Sequence, residues 1–119
     1  MTVAECYGKI GGGYENALRR FKSEALVKRF LPMFLNDPSF NELTDAIEKD
    51  DVQTAFRAAH TLKGVCANLS LSRLNTVSSE ITEMLRAKKI AEAKEFYPAV
   101  KEAYDITLET ITQFKNEMQ

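Results

Sequence analysis

The 119-residue chain has no tryptophan, one histidine, two cysteines, three prolines and five glycines. So little turn-forming material suits a few long elements, hence helices, over a many-stranded sheet. Cys6 and Cys66 stand far apart with no Cys-x-x-Cys spacing. They read as two reduced thiols of a cytoplasmic protein rather than a disulfide framework. Two Cys and one His are too few for a zinc site, so no metal and no cofactor are expected. The formal net charge of −1 leaves no basic surplus for nucleic acid or an anionic membrane. No apolar run approaches the roughly 18 to 20 residues of a membrane span. The N-terminal MTVAECYGKI lacks the basic start and apolar core of a signal peptide. No alternating, β-branched strand pattern, internal repeat or low-complexity segment is found.

What is present is 45% hydrophobic and 28% charged residues, the balance of a soluble globular protein, here a single domain over 1–119. Thr2 is a candidate N-cap for a short helix over 3–10, which Gly11-Gly12-Gly13 ends. A second short segment runs from Tyr14 to about Phe21. Ser23 caps a third, whose apolar stripe of Leu26, Val27, Phe30, Leu31, Phe34 and Leu35 is interrupted by Pro32. Asn36-Asp37-Pro38 is a stop and restart, with Asp37 as N-cap and Pro38 at the first helical position. The next helix reaches about Lys49 and buries Phe40, Leu43, Ala46 and Ile47. Asp50-Asp51 caps a helix over 52–69. Ser72 is expected to cap another, from Arg73 to about Ala87. A last helix, bent near Pro98, runs from about Ile90 to Asn116. The short links predict an all-α, up-down antiparallel four-helix bundle over 37–119, with short N-terminal helices in 1–36 capping one end.

The stretch Ala58-Ala59-His60-Thr61-Leu62-Lys63-Gly64-Val65-Cys66-Ala67-Asn68-Leu69 holds the only histidine. At about 100° per residue, Val52, Ala55, Phe56, Ala59, Leu62, Cys66 and Leu69 gather into one apolar arc. His60 falls roughly 120° to 140° from the middle of that arc, so it points toward solvent. Its neighbours along the strip are Arg57 at i−3, Lys63 at i+3, Gly64 at i+4 and Ala67 at i+7. A glycine inside a helix costs roughly 1 kcal/mol relative to alanine, so Gly64 calls for a reason.

Chemistry supplies one. A single histidine cannot serve as both nucleophile and base, and no phosphate loop or metal cluster accompanies it. It can accept a group that another protein has activated and pass it on. A phosphoryl group fits: Lys63 can neutralise its oxygens, and the bare Gly64 lets a partner's active site approach, as in-line transfer demands.

His60-Thr-Leu-Lys63-Gly64, followed by Asn68-Leu69-Ser-Leu71 and Arg73-Leu74, resembles the histidine-containing phosphotransfer (HPt) domain of multistep phosphorelays. The likeness extends to the helical layout and covers nearly the whole chain. It implies that His60 carries the phosphoryl group and that Lys63 and Gly64 assist. It implies exchange with the phospho-aspartate of receiver domains, in response regulators or a hybrid histidine kinase, which bring their own Mg²⁺. It also places Arg86 near the histidine and implies that the chain lacks an ATP site of its own. With Arg57 and Ala67, which flank His60 on the helical strip, Arg86 is expected in the partner-binding face, and the protein is expected to be a monomer. Met1 favours an independent protein over a domain of a longer kinase. There are two departures. Ser70 stands where the family usually has a glycine at a left-handed turn. Thr82 stands where some members place a glutamine that bonds the imidazole. A rival reading is a helical interaction module that docks on a receiver or kinase without accepting phosphate. A small helical enzyme using Tyr and Glu residues is a third, and no clustering in the sequence supports it.

Overall fold

The structure is a computed structural model that describes residues 1–118. Among the described residues it is all-helical. The elements are α1 (Val3–Ile10), α2 (Tyr14–Phe21), α3 (Glu24–Phe30), a 3-10 segment (Leu31–Asn36), α4 (Ser39–Glu48), α5 (Val52–Leu69), α6 (Ser72–Arg86) and α7 (Ile90–Glu117).

Local chemistry explains most boundaries. The Thr2 hydroxyl accepts from Glu5 N–H at 3.0 Å, and the Glu5 carboxylate accepts from Thr2 N–H at 2.9 Å, a complete capping box. Ser23 and Asp51 cap α3 and α5 through Leu26 N–H and Thr54 N–H. Pro32 ends α3 by turning the chain into the 3-10 segment. Asp37 accepts from Ser39 N–H at 2.9 Å, while Pro38 holds the residue position just ahead of α4. Ser72 is not the cap of α6. It lies inside the first turn, Leu71 occupies the cap position, and no side chain caps that end. The α7 helix is continuous through Pro98.

The packing follows the buried stripes. α5 lies against α4 on one side and α6 on the other, α6 lies against α7, and α4 also meets α7. At about 1.5 Å per residue, α7 spans the 40 Å long axis of the molecule. Phe40 of α4 stacks on Tyr104 of α7 with centroids 3.9 Å apart and on Tyr97 at 5.8 Å. Leu43, Leu62, Leu74, Ile81, Leu85 and Ile111 are fully buried around them. Large apolar side chains of this kind contribute about 1.5–3 kcal/mol each on burial.

The N-terminal helices fasten onto the turn between α5 and α6. Gly13 N–H donates to Ser70 O at 2.9 Å, and Arg73 N–H donates to Gly11 O at 3.1 Å. Asn16 Nδ2 donates to Ser70 Oγ at 2.9 Å. The approach is close enough that a Cβ on Gly12 would sit 2.6 Å from the Tyr7 ring and 3.0 Å from Ser70 O. At the chain's start, the Met1 amino group pairs with Glu117 of α7 at 2.5 Å.

Candidate functional site

The site is built on α5. Its buried row is Ala55, Ala58, Ala59, Leu62, Cys66 and Leu69. Three of these are alanines, so the helix sits close to its neighbours and presents its other side as a continuous strip. His60 is exposed on that strip, together with Arg57, Gly64 and Ala67, while Lys63 is half-buried. Helical spacing places these residues on one face. A Cβ built on Gly64 meets nothing within 4 Å, so the glycine leaves open space one turn beyond the imidazole. Close packing is thus not what Gly64 serves.

Val52 and Phe56 depart from the expected buried arc, both being half-buried. Phe56 instead lies beside the histidine. The two rings are 5.9 Å apart between centroids and 14° from parallel, an offset stack. From α6, the Arg86 guanidinium lies 4.8 Å from the centroid of the same Phe56 ring. Glu83 holds that arginine, with Arg86 Nε 3.2 Å from each carboxylate oxygen. The resemblance to HPt domains brought Arg86 toward the histidine, but neither it nor the spacing singled out Phe56 or Glu83. The available signals were Phe56 at i−4 from His60 and Glu83 at i−3 from Arg86.

The two departures resolve differently. Ser70 adopts the left-handed conformation itself, with φ 57° and ψ 38°. Its N–H bonds Ala67 O and Leu71 N–H bonds Cys66 O, so the turn a glycine would make is formed without one. Thr82 is fully buried and its hydroxyl donates to Ser78 O at 2.6 Å. It faces the core and gives the imidazole no hydrogen bond.

Charge at the strip is positive and uncommitted. Among the described residues neither Lys63 nor Arg57 forms an ion pair. The Arg57 guanidinium donates weakly to Thr54 Oγ1 at 3.4 Å. No group of three or more His, Cys, Asp or Glu among the described residues is placed to hold a metal ion. Past the glycine, a groove is lined by Phe21, Phe30, Met33 and Pro38 on one side and Val65 and Asn68 of α5 on the other. No helix among the described residues is long and apolar enough to cross a membrane.

An all-helical domain with a lone, outward histidine on its central helix defines a class, and comparison with protein families identifies it. The family model for the Hpt domain matches residues 29–117, about three quarters of the chain, and the chain belongs to that family. Neither the curated proteins nor the solved structures contain a significant match. Hpt domains carry out histidine phosphotransfer in phosphorelays, where they interact with receiver and kinase domains.

Proposed function

We propose that this protein is a phosphocarrier that takes a phosphoryl group onto His60 from the aspartate of one receiver domain and returns it to the aspartate of another. The observation that carries this reading is the open space at Gly64 beside an exposed His60, on a chain of the Hpt family. α4 to α7 serve as the scaffold, an up-down antiparallel four-helix bundle joined by short links. The protein works in the cytoplasm as a monomer, with a receiver-bearing response regulator or hybrid histidine kinase as partner.

In the forward step, one neutral imidazole nitrogen attacks the phosphorus of the aspartyl phosphate. An N–P bond forms, the P–O bond to the aspartate breaks, and the carboxylate leaves with the bonding electron pair. The second ring nitrogen keeps its proton, so no base on this chain is required. Lys63 places a cation beside the phosphoryl oxygens as charge shifts during transfer. Gly64 admits the partner's active site to in-line distance. Arg57, Ala67 and Arg86 belong to the face the partner covers.

The test is incubation with a phosphorylated receiver domain, or with a hybrid histidine kinase and ATP. The protein should acquire an acid-labile, alkali-stable phosphate, and His60→Gln should acquire none. Equal labelling of His60→Gln would refute the assignment. Receiver binding without any label would point to the interaction module instead.

A further inference from the structure

We infer that Phe56 is a positioning residue for the phosphoryl-accepting imidazole, held in that role by Arg86 and Glu83; the inference rests on the phosphocarrier reading of His60. An exposed imidazole on a helix can turn about both side-chain torsions. In-line transfer needs its nitrogen lone pair aimed along one direction, and a misplacement of about 1 Å can cost up to about a hundredfold in rate. Something must therefore restrict the ring. No hydrogen bond to the imidazole exists among the described residues, and the buried Thr82 hydroxyl is committed to Ser78 O.

What the structure sets alongside the ring instead is an aromatic neighbour. Phe56 lies parallel to the imidazole within 14° at 5.9 Å, one helical turn away. Phe56 is in turn restrained from α6. The Arg86 guanidinium sits 4.8 Å from its centroid, and both oxygens of Glu83 fix Arg86. A chain of contacts thus runs Glu83, Arg86, Phe56, His60. Val52 and Leu85 line the groove beside it and give Phe56 an apolar bed. A leucine at position 56 could fill the same half-buried space. Only an aromatic ring offers a flat, rigid plane alongside which an imidazole can lie in an offset, near-parallel arrangement. The residue type at 56 therefore follows from the histidine's orientation, not from burial.

Two readouts on the full chain test this. The first is single-turnover phosphotransfer from a receiver domain charged with acetyl phosphate, over a range of receiver concentrations. The second is the proton NMR shifts of the His60 ring. Phe56→Leu is expected to lower the maximal transfer rate roughly tenfold, with the half-saturating receiver concentration unchanged. The His60 ring-proton shifts should change as the Phe56 ring current is lost. Phe56→Tyr should retain both the parent rate and the parent shifts. Circular dichroism verifies folding, and Phe56→Met replaces Phe56→Leu if the latter unfolds. An unchanged maximal rate in Phe56→Leu overturns the inference. So does a defect seen only in half-saturation, or a Phe56→Tyr as slow as Phe56→Leu. A parent that takes no label overturns the phosphocarrier reading and this inference with it. A labelled parent with an indifferent Phe56→Leu overturns this inference alone.

Discussion

The hydroxyl of Tyr7 donates a buried 2.8 Å hydrogen bond to the carbonyl of Leu69, across 62 residues of sequence. Leu69 is the last residue of α5, so its carbonyl has no partner within the helix. The N-terminal helix thereby finishes the helix that carries His60. Tyr7→Phe keeps the ring and strands that acceptor in a dry site. The expected cost is about 1–3 kcal/mol, read as a lower urea midpoint with an unchanged slope. A midpoint equal to the parent's would show that the bond contributes nothing.

Ser70 and Asn16 are coupled. A non-glycine residue in the left-handed region costs roughly 1–2 kcal/mol, and Ser70 recovers part of that through the bond its hydroxyl accepts from Asn16. Ser70→Gly should therefore be close to neutral in the parent, gaining backbone freedom and losing the bond. In an Asn16→Ala background the same change should stabilise by about 1 kcal/mol. A double-mutant cycle of chemical denaturation measures this coupling, and strictly additive effects would contradict it.

Alkaline stability has a definite sign. Burial pushes the Cys66 thiol up to about 12 and the Cys6 thiol up to about 11, from an ordinary 9.0. Burial also raises the Tyr7 phenol. The fold thus prefers each protonated form. Its contribution is intact below pH 9 and is lost as pH rises through the folded values. Melting temperature followed by circular dichroism should fall between about pH 9 and pH 12, and Cys6→Ala with Cys66→Ala should flatten that slope. A parent melting temperature that stays level across the window would rule this out.

Much of this structure is legible in the residues themselves, and the illegible part has a physical cause. Thr2, Ser23 and Asp51 announce helix starts because each oxygen has a nearby orphan N–H to accept from. The strip of Arg57, His60, Lys63, Gly64 and Ala67 follows from helical rotation alone. Ser72 misleads because a hydroxyl suits the cap and the first turn alike. The boundary is set one residue earlier, by the left-handed Ser70 and the bond from Leu71 N–H to Cys66 O. Phe56 escapes for a different reason. It lies at the edge of the apolar arc, and what decides its surroundings is the register of α6, which sets Arg86 against its ring. Spacing within one helix carries no record of that register.

Lys63, three residues beyond His60 on the same helix, is half-buried and, among the described residues, has no carboxylate partner. Its charge is free for an incoming anion. Lys63→Ala should slow phosphotransfer roughly tenfold and leave labelling detectable, since it removes a charge and leaves the nucleophile. His60→Gln should abolish labelling. Rapid-quench kinetics separate the two, and a Lys63→Ala protein with parental rates would remove Lys63 from the site.

Gly64 gives predictions of opposite sign for stability and for transfer. Its position is helical and a Cβ there would touch nothing within 4 Å. Gly64→Ala therefore meets no steric penalty and should stabilise the protein by about 1 kcal/mol, the ordinary helix preference of alanine over glycine. Gly64→Gln should also fold at least as well as the parent, because glutamine is a good helix former. Its longer side chain, however, occupies the space one turn from the His60 ring. Phosphotransfer from a receiver should be strongly slowed in Gly64→Gln and less so in Gly64→Ala, following the bulk placed in the partner's path. Thermal melts and transfer rates measured on the same preparations decide it. If both variants are more stable and transfer at the parental rate, Gly64 has no part in access. If both lose stability, the helix needs the glycine for packing that the open space around it does not reveal.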